Sequence, residues 1–239
     1  MTLVLLFLGG IATGTMGVLF GASAFLAIPL VQGLYPSFSY GEVLSNVRAG
    51  ALGRSLMSTS STRKHIHFKE SLRILIPFAI SSVIGLFLVV NLDKSYLLYA
   101  IIIAIIFSEL SPRISHLMNE KTRFLFSILI GLYQGMITAG SSVLILGLVR
   151  TLHPKDDQIV HAKIQALFIE MVGVLLLVAT HIFHGDLMFP IWLVFALGSG
   201  IGGYLGGHLL TKTIKLSKKA QRHYVWAVYL LALLPFLFT

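Results

Sequence analysis

Residues 2–34 read TLVLLFLGGIATGTMGVLFGASAFLAIPLVQGL. The stretch is apolar throughout, yet Gly9, Gly10, Gly14, Gly17, Gly21, Ala22, Ser23 and Ala24 stud it ahead of Pro29. As one straight helix it would run about 48 Å, against a hydrocarbon core of ~30 Å. It therefore tilts and protrudes, or it breaks midway and folds back. Residues 21–24 are the expected break, with residues 10–17 equally suited to close helix packing. Residues 124–150, FLFSILIGLYQGMITAGSSVLILGLVR, repeat the anomaly, with Gly131, Gly135, Gly140, Ser141 and Ser142.

Six further apolar stretches lie at 41–61, 72–91, 95–110, 158–183, 188–210 and 223–238. Apolar residues make up 56% of the 239 and charged residues 11%, where a soluble domain carries about 25% charged. Mean hydropathy is +0.89. A water-soluble globule and a disordered chain are excluded. The absence of cysteine excludes a disulfide scaffold, a thiolate metal site and a thiol nucleophile. An all-α integral membrane protein remains, with no room for a soluble domain. The net charge of +9 would suggest nucleic acid in a soluble chain. Here the basic residues gather in a few loops, which points to membrane orientation. Ala22-Ser23-Ala24 imitates a signal-peptidase site, but no basic region precedes it, so the segment is read as retained.

The chain also repeats. Gly10 and Gly14 match Gly131 and Gly135, Leu34-Tyr35-Pro36 matches Leu152-His153-Pro154, and Ser81 and Gly85 match Ser199 and Gly203. The offsets stay near 118–121. Residues 1–112 and 122–239 therefore read as two copies of about four helical segments each, joined by a cytoplasmic linker at 113–121. Loop charge orients them. Arg63–Arg73, Arg113–Arg123, Arg150–Lys155 and Lys212–Arg222 are basic, whereas 35–42, 91–95 and 181–187 are poor in Lys and Arg. Every basic loop reaches the cytoplasm if 2–34 and 124–150 are re-entrant and each half crosses three times. The second copy is then inverted, in a multi-pass protein of the cell's inner membrane. Eight full crossings, with one loop breaking the charge rule, is the alternative. Inverted repeats with interrupted Gly-rich segments point to a secondary transporter. The half-helix N-termini at a break favour an anion.

Several polar residues lie within apolar stretches. Segment 41–61 holds Glu42, Ser45, Asn46, Arg48, Arg54, Ser55, Ser58 and Thr59, too polar for a lipid-facing helix. Arg48, near its outer end, reads as an anion-binding or cavity-lining cation; Arg54 reads as cavity-lining or snorkelling. Segment 158–183 holds Lys163 and Glu170, seven residues apart on one face. Lys163 counters substrate charge or snorkels. The membrane interior penalises a charged Glu170, which suits a proton-coupling carboxylate or an Arg-paired structural acid. His181, His184 and Asp186 have metal-like spacing but read as a solvated outer turn. Ser141 or Ser142 with His208 lacks the flanking pattern of an intramembrane serine protease. Trp192 and Trp226 read as interface anchors or packing, and Lys212–Arg222 as a loop near anionic lipid.

Gly21-Ala22-Ser23-Ala24-Phe25-Leu26-Ala27-Ile28-Pro29-Leu30 resembles the Gly-rich run and Pro-x-Leu of the TauE/SafE family of membrane transporters. Gly135 to Ser142 resembles that family's second Gly-rich segment. His65-Ile66-His67-Phe68 and His184-Gly185-Asp186-Leu187 sit where the family has short turns. The sequence departs from the family's glycines at Ala22, Ser23 and Ala24, and again at Thr138 and Ser142. The resemblance covers nearly the whole chain and implies transport of sulfite, a sulfonate or a related organic anion.

The expected function is alternating-access transport of such an anion, with no enzymatic activity, cofactor or metal. The expected binding residues are Gly21, Ala22, Ser23, Arg48, Gly140, Ser141, Ser142 and Lys163, with Glu170 for coupling. An anion-selective channel and a non-transporting partner of an enzyme are the other function classes. The expected partners are the small anionic solute, protons as coupling ion and the lipid bilayer, and no nucleic acid. Pairing into a homodimer stays open.

Overall fold

The computed structural model describes residues 1–21, 23–89, 91–93, 95–152, 159–211, and residues 226, 227, 229, 230 and 233. Nine α-helices and no strand occur among the described residues: α1 (Thr2–Phe20), α2 (Ser23–Leu34), α3 (Tyr40–Thr62), α4 (Phe68–Val89), α5 (Tyr96–Leu117), α6 (Arg123–Met136), α7 (Ser141–Val149), α8 (Ile159–His184) and α9 (Ile191–Thr211). A 3-10 turn, Arg63–His65, follows α3. The 212–222 loop, the matched His153 and Pro154, and most of segment 223–238 lie outside the described residues.

Both overlong segments are interrupted. The first breaks between Phe20 and Ser23, the second between Met136 and Ser141. Each break carries a glycine in the left-handed region, Gly21 at φ +75° and Gly140 at φ +77°. A Cβ would strain that backbone. Helix α5 runs on to Leu117, so the expected connection at 113–121 is shorter than the sequence pattern indicates.

The burial pattern is that of a bundle in lipid. Helix α3, the polar one, lies at the centre, with Arg48, Arg54, Ser45, Asn46, Ser55 and Ser58 all buried. It packs against α9, α8, α2 and α1. Its polar side chains thus face protein instead of hydrocarbon. The apolar excess faces outward, as Ile76, Ile80, Ile84 and Leu88 along one stripe of α4 and Ile102, Ile103 and Ile106 on α5. Among the described residues, four helices are long and apolar enough to cross a membrane: Thr2–Phe20, Ser71–Val89, His161–His184 and Ile191–Leu210. The protein is an all-α membrane protein.

Close approach is built from small residues, and it is reciprocal. Helix α1 packs most extensively on α9, and α6 on α4. A Cβ on Gly14 would overlap the backbone of Ser199, and one on Gly10 would sit 3.0 Å from the Ser199 nitrogen. A Cβ on Gly131 would overlap the Ser81 hydroxyl, and one on Gly135 the Ser82 carbonyl. Gly10 and Gly14 therefore seat against Ser199 and Gly131 against Ser81, the serines matched in sequence, while Gly135 seats against the neighbouring Ser82. Such seams allow backbone approach where hydrocarbon gives no driving force for association.

Candidate functional site

The two breaks meet at a narrow cleft. Gly21 and Ser23 line it from the first break, Thr138, Gly140 and Ser142 from the second. Helix α1 adds Thr13 and α9 adds Ser199; Arg54 enters from α3 and Glu170 from α8. A neighbouring cleft shares Gly21, Ser142 and Glu170 and continues past Gly17 and Leu146 to Lys163.

Arg54 and Glu170 form a buried ion pair, Nη2 to Oε1 at 2.5 Å, with side chains 1% and 3% exposed. Nε and Nη1 of Arg54 are buried without a hydrogen-bond partner. Gly17 makes the room for this guanidinium, since a Cβ there would lie 2.5 Å from Nη1 and 2.6 Å from the Ser23 Cβ. The arginine therefore stands beside the start of α2, at the positive end of that helix. A cation is ill placed at such an end, and an anion is well placed between the two.

Four carbonyls at the second break accept from side chains. Arg48 Nη2 donates to the Gly135 carbonyl. The Tyr40 hydroxyl donates to Met136 O at 2.9 Å, the Ser141 hydroxyl to Thr138 O at 2.8 Å, and the Tyr133 hydroxyl to Ala139 O at 2.6 Å. Thr138 has φ +67°, strained for a β-branched residue by about 1–3 kcal/mol. Its hydroxyl accepts from Arg48 Nε at 2.9 Å and donates to Gln134 O at 3.0 Å. The break is thereby overdetermined from α3. At the first break, Lys163 Nζ donates to Leu19 O at 2.9 Å. Arg48 and Lys163 thus do comparable work: each places a cation on the carbonyl end of a half-helix, where the dipole is negative.

Behind Arg48 a polar chain leads away from the cleft. Arg48 Nη1 lies 2.6 Å from His181 Nε2. A guanidinium only donates, so Nε2 accepts and the imidazole proton sits on Nδ1, donating to Asp186 Oδ2 at 2.7 Å. Ser45 donates to the Asp186 carbonyl at 2.8 Å. The expected solvated turn is thus corrected in part. Helix α8 extends to His184, so His181 lies on its last turns and is fully buried, while His184 is exposed. No group of three His, Asp or Glu gathers as metal ligands among the described residues.

The structure brings Gly21, Ser23, Gly140 and Ser142 together around one cleft, and places Lys163 on the adjoining one. Ser141 is buried, its hydroxyl on Thr138 O. Arg48 touches the cleft only through Thr138. Ala22 lies outside the described residues. Sequence reasoning missed Thr13 and Ser199 as lining groups, singled out Thr138 only as a departure from the family's glycines, and ranked Arg54 below Arg48. One signal pointed to the ion pair: Arg54 and Glu170 both lie inside apolar stretches, where a charge needs a partner.

The family model described as Sulfite exporter TauE/SafE matches residues 6–235. The chain belongs to the TauE/SafE sulfite exporter family. That is a family of membrane transporters, and the apolar helices of this member fit it. No curated protein and no solved structure matches the chain. Within this TauE/SafE protein, the cleft between the two breaks is the place where polar groups from distant parts of the sequence converge.

Proposed function

We propose that this protein exports a small anion, such as sulfite, a sulfonate or a related organic anion, across the cell's inner membrane by alternating access. The anion binds in the cleft between the two breaks. The observation that carries this reading is Arg54: a buried cation with two unpartnered donors, beside the start of α2. The α7 start borders the same cleft through Gly140 and Ser142. Ser23, Gly140, Ser141 and Ser142, at the starts of α2 and α7, offer backbone N–H groups in the manner of anion sites at helix N-termini, and Gly21 lines the cleft with its own N–H on Gly17 O. Arg48 and Lys163 support the site from behind, holding the half-helix ends that frame it. Glu170 is the coupling carboxylate, because its partner Arg54 is also the anion's partner.

On this reading residues 1–112 and 122–239 are two inverted copies, joined at 113–121, with their basic loops in the cytoplasm. The reciprocal seams between α1 and α9 and between α6 and α4, and the left-handed glycine at each break, support it.

Counterflow of radiolabelled sulfite in proteoliposomes tests the function. A carrier accumulates external label against unlabelled internal sulfite. Flux as an electrical current without counterflow means a channel instead, and absence of flux removes sulfite as a substrate.

A further inference from the structure

Charge around the cleft is not balanced. Arg54 brings one full positive charge with Nε and Nη1 unpartnered. The starts of α2 and α7 flank the same space, and each carries ~+0.5 of a charge. Glu170 answers with one negative charge, through a single oxygen on Nη2. The site is left with a net charge of about +1 when Glu170 is ionised and about +2 when it is protonated.

We propose that Glu170 sets the valence of the anion this site accepts: ionised, it leaves a place for a singly charged oxyanion, while a doubly charged oxyanion enters together with one proton that Glu170 takes up. This rests on the reading of the cleft as the anion site. The proton comes from hydronium or a buffer acid in the solvent: its bond to that donor breaks, the donor keeps the electron pair, and an O–H bond forms on the carboxylate. Arg54 stays charged throughout.

Among the described side chains, the other ionisable groups on α8 and on the elements packed against it are exposed or engaged elsewhere, His161 of α8 included. Helix α7, packed on α8, carries no titratable side chain from Ser141 to Val149. On α4, Lys69 and Arg73 are exposed, as are Arg63 and Lys64 in the 3-10 turn. On α8 itself, Lys163 is tied to the Leu19 carbonyl. From α3, Arg48 is engaged with Thr138 and His181, and His181 with Asp186. Arg54 is the ion-pair partner of Glu170 among the described residues. An anion held by the free donors of Arg54 adds negative charge beside the carboxylate in a site with little water to screen it. A second negative charge on the anion is the one Glu170 offsets by taking up a proton.

Sulfate and methanesulfonate separate the cases, because both present sulfur-bound oxygens and their charges are fixed near neutral pH. Isothermal titration of the purified full-length protein, in two buffers of different ionisation enthalpy, counts the protons taken up. Sulfate is expected to bind with one proton, its affinity falling about tenfold per pH unit as pH rises. Methanesulfonate is expected to bind with none and to show no pH slope. Glu170→Gln is expected to bind sulfate without proton uptake and without the pH slope of the wild type. Equal proton counts for the two anions, including none for either, overturn the valence rule and leave the site standing. Failure of both anions to bind overturns the rule and the site together. Should the Gln variant prove too unstable to titrate, the two wild-type titrations decide by themselves.

Discussion

Arg54 of α3 and Glu170 of α8 meet with Nη2 2.5 Å from Oε1, in a place where neither side chain is more than 3% exposed. Two buried charges are costly to desolvate, and only their mutual contact offsets that cost. Removing either partner alone leaves the other buried and uncompensated. Arg54→Gln and Glu170→Gln are each expected to lower stability by about 3–5 kcal/mol, and the double variant to recover most of it. Thermal melts of the four proteins in detergent give the coupling energy. Additive losses would mean the two charges are independently solvated.

Arg48 differs from Arg54 in having its contacts filled. It joins Thr138, Gly135 and His181, all buried. Arg48→Lys keeps the charge, but a single ammonium does not span three acceptors in a plane. A loss of about 1.5–3 kcal/mol is expected from the missing charge-assisted bonds, read as a lower melting temperature. Arg48→Lys melting like the wild type would mean that the second break holds without its guanidinium.

The two neighbouring serines at the second break separate lining from support. Ser142 lines both clefts, whereas the Ser141 hydroxyl faces the Thr138 carbonyl. Ser142→Leu is expected to abolish anion binding with little change in melting temperature. Ser141→Ala is expected to cost about 1 kcal/mol through one lost hydrogen bond while binding survives. The reverse pattern in titration and melting would place the site elsewhere.

Single cysteines report the orientation, since the chain has none of its own. Lys64, Lys121 and His184 are exposed. With the basic loops in the cytoplasm, an impermeant thiol reagent on intact cells labels His184→Cys and neither Lys64→Cys nor Lys121→Cys. Labelling of position 64 and not of 184 would reverse the orientation.

The breaks were legible because an apolar stretch too long for the bilayer has to bend somewhere, and a run of small residues is where it bends most easily. The glycine and serine offsets were legible for a related reason: close seams tolerate few residue types, and Gly14 against Ser199 mirrors Gly131 against Ser81. The roles of the cations were not. A cation facing an anion and a cation capping a helix carbonyl look alike in sequence, and Arg48 and Lys163 are bonded to carbonyls. Thr138 stood out only as a departure from the family's glycines; its left-handed backbone, which threonine rarely adopts, and its bond to Arg48 were not legible. His181 looked like part of a turn because the sequence does not mark where α8 ends, and its burial follows from partners 133 and 5 positions away.

The central claim is that Arg54 holds the anion. Titration of sulfite into purified wild-type protein and the Arg54→Gln/Glu170→Gln double variant tests it most directly, because removing both charges keeps the buried site neutral and the fold comparable. Saturable binding by the wild type with a loss of at least about 1.5–3 kcal/mol of affinity in the double variant, at closely similar melting temperatures, is the expected result. Equal sulfite affinity in the two proteins would contradict it.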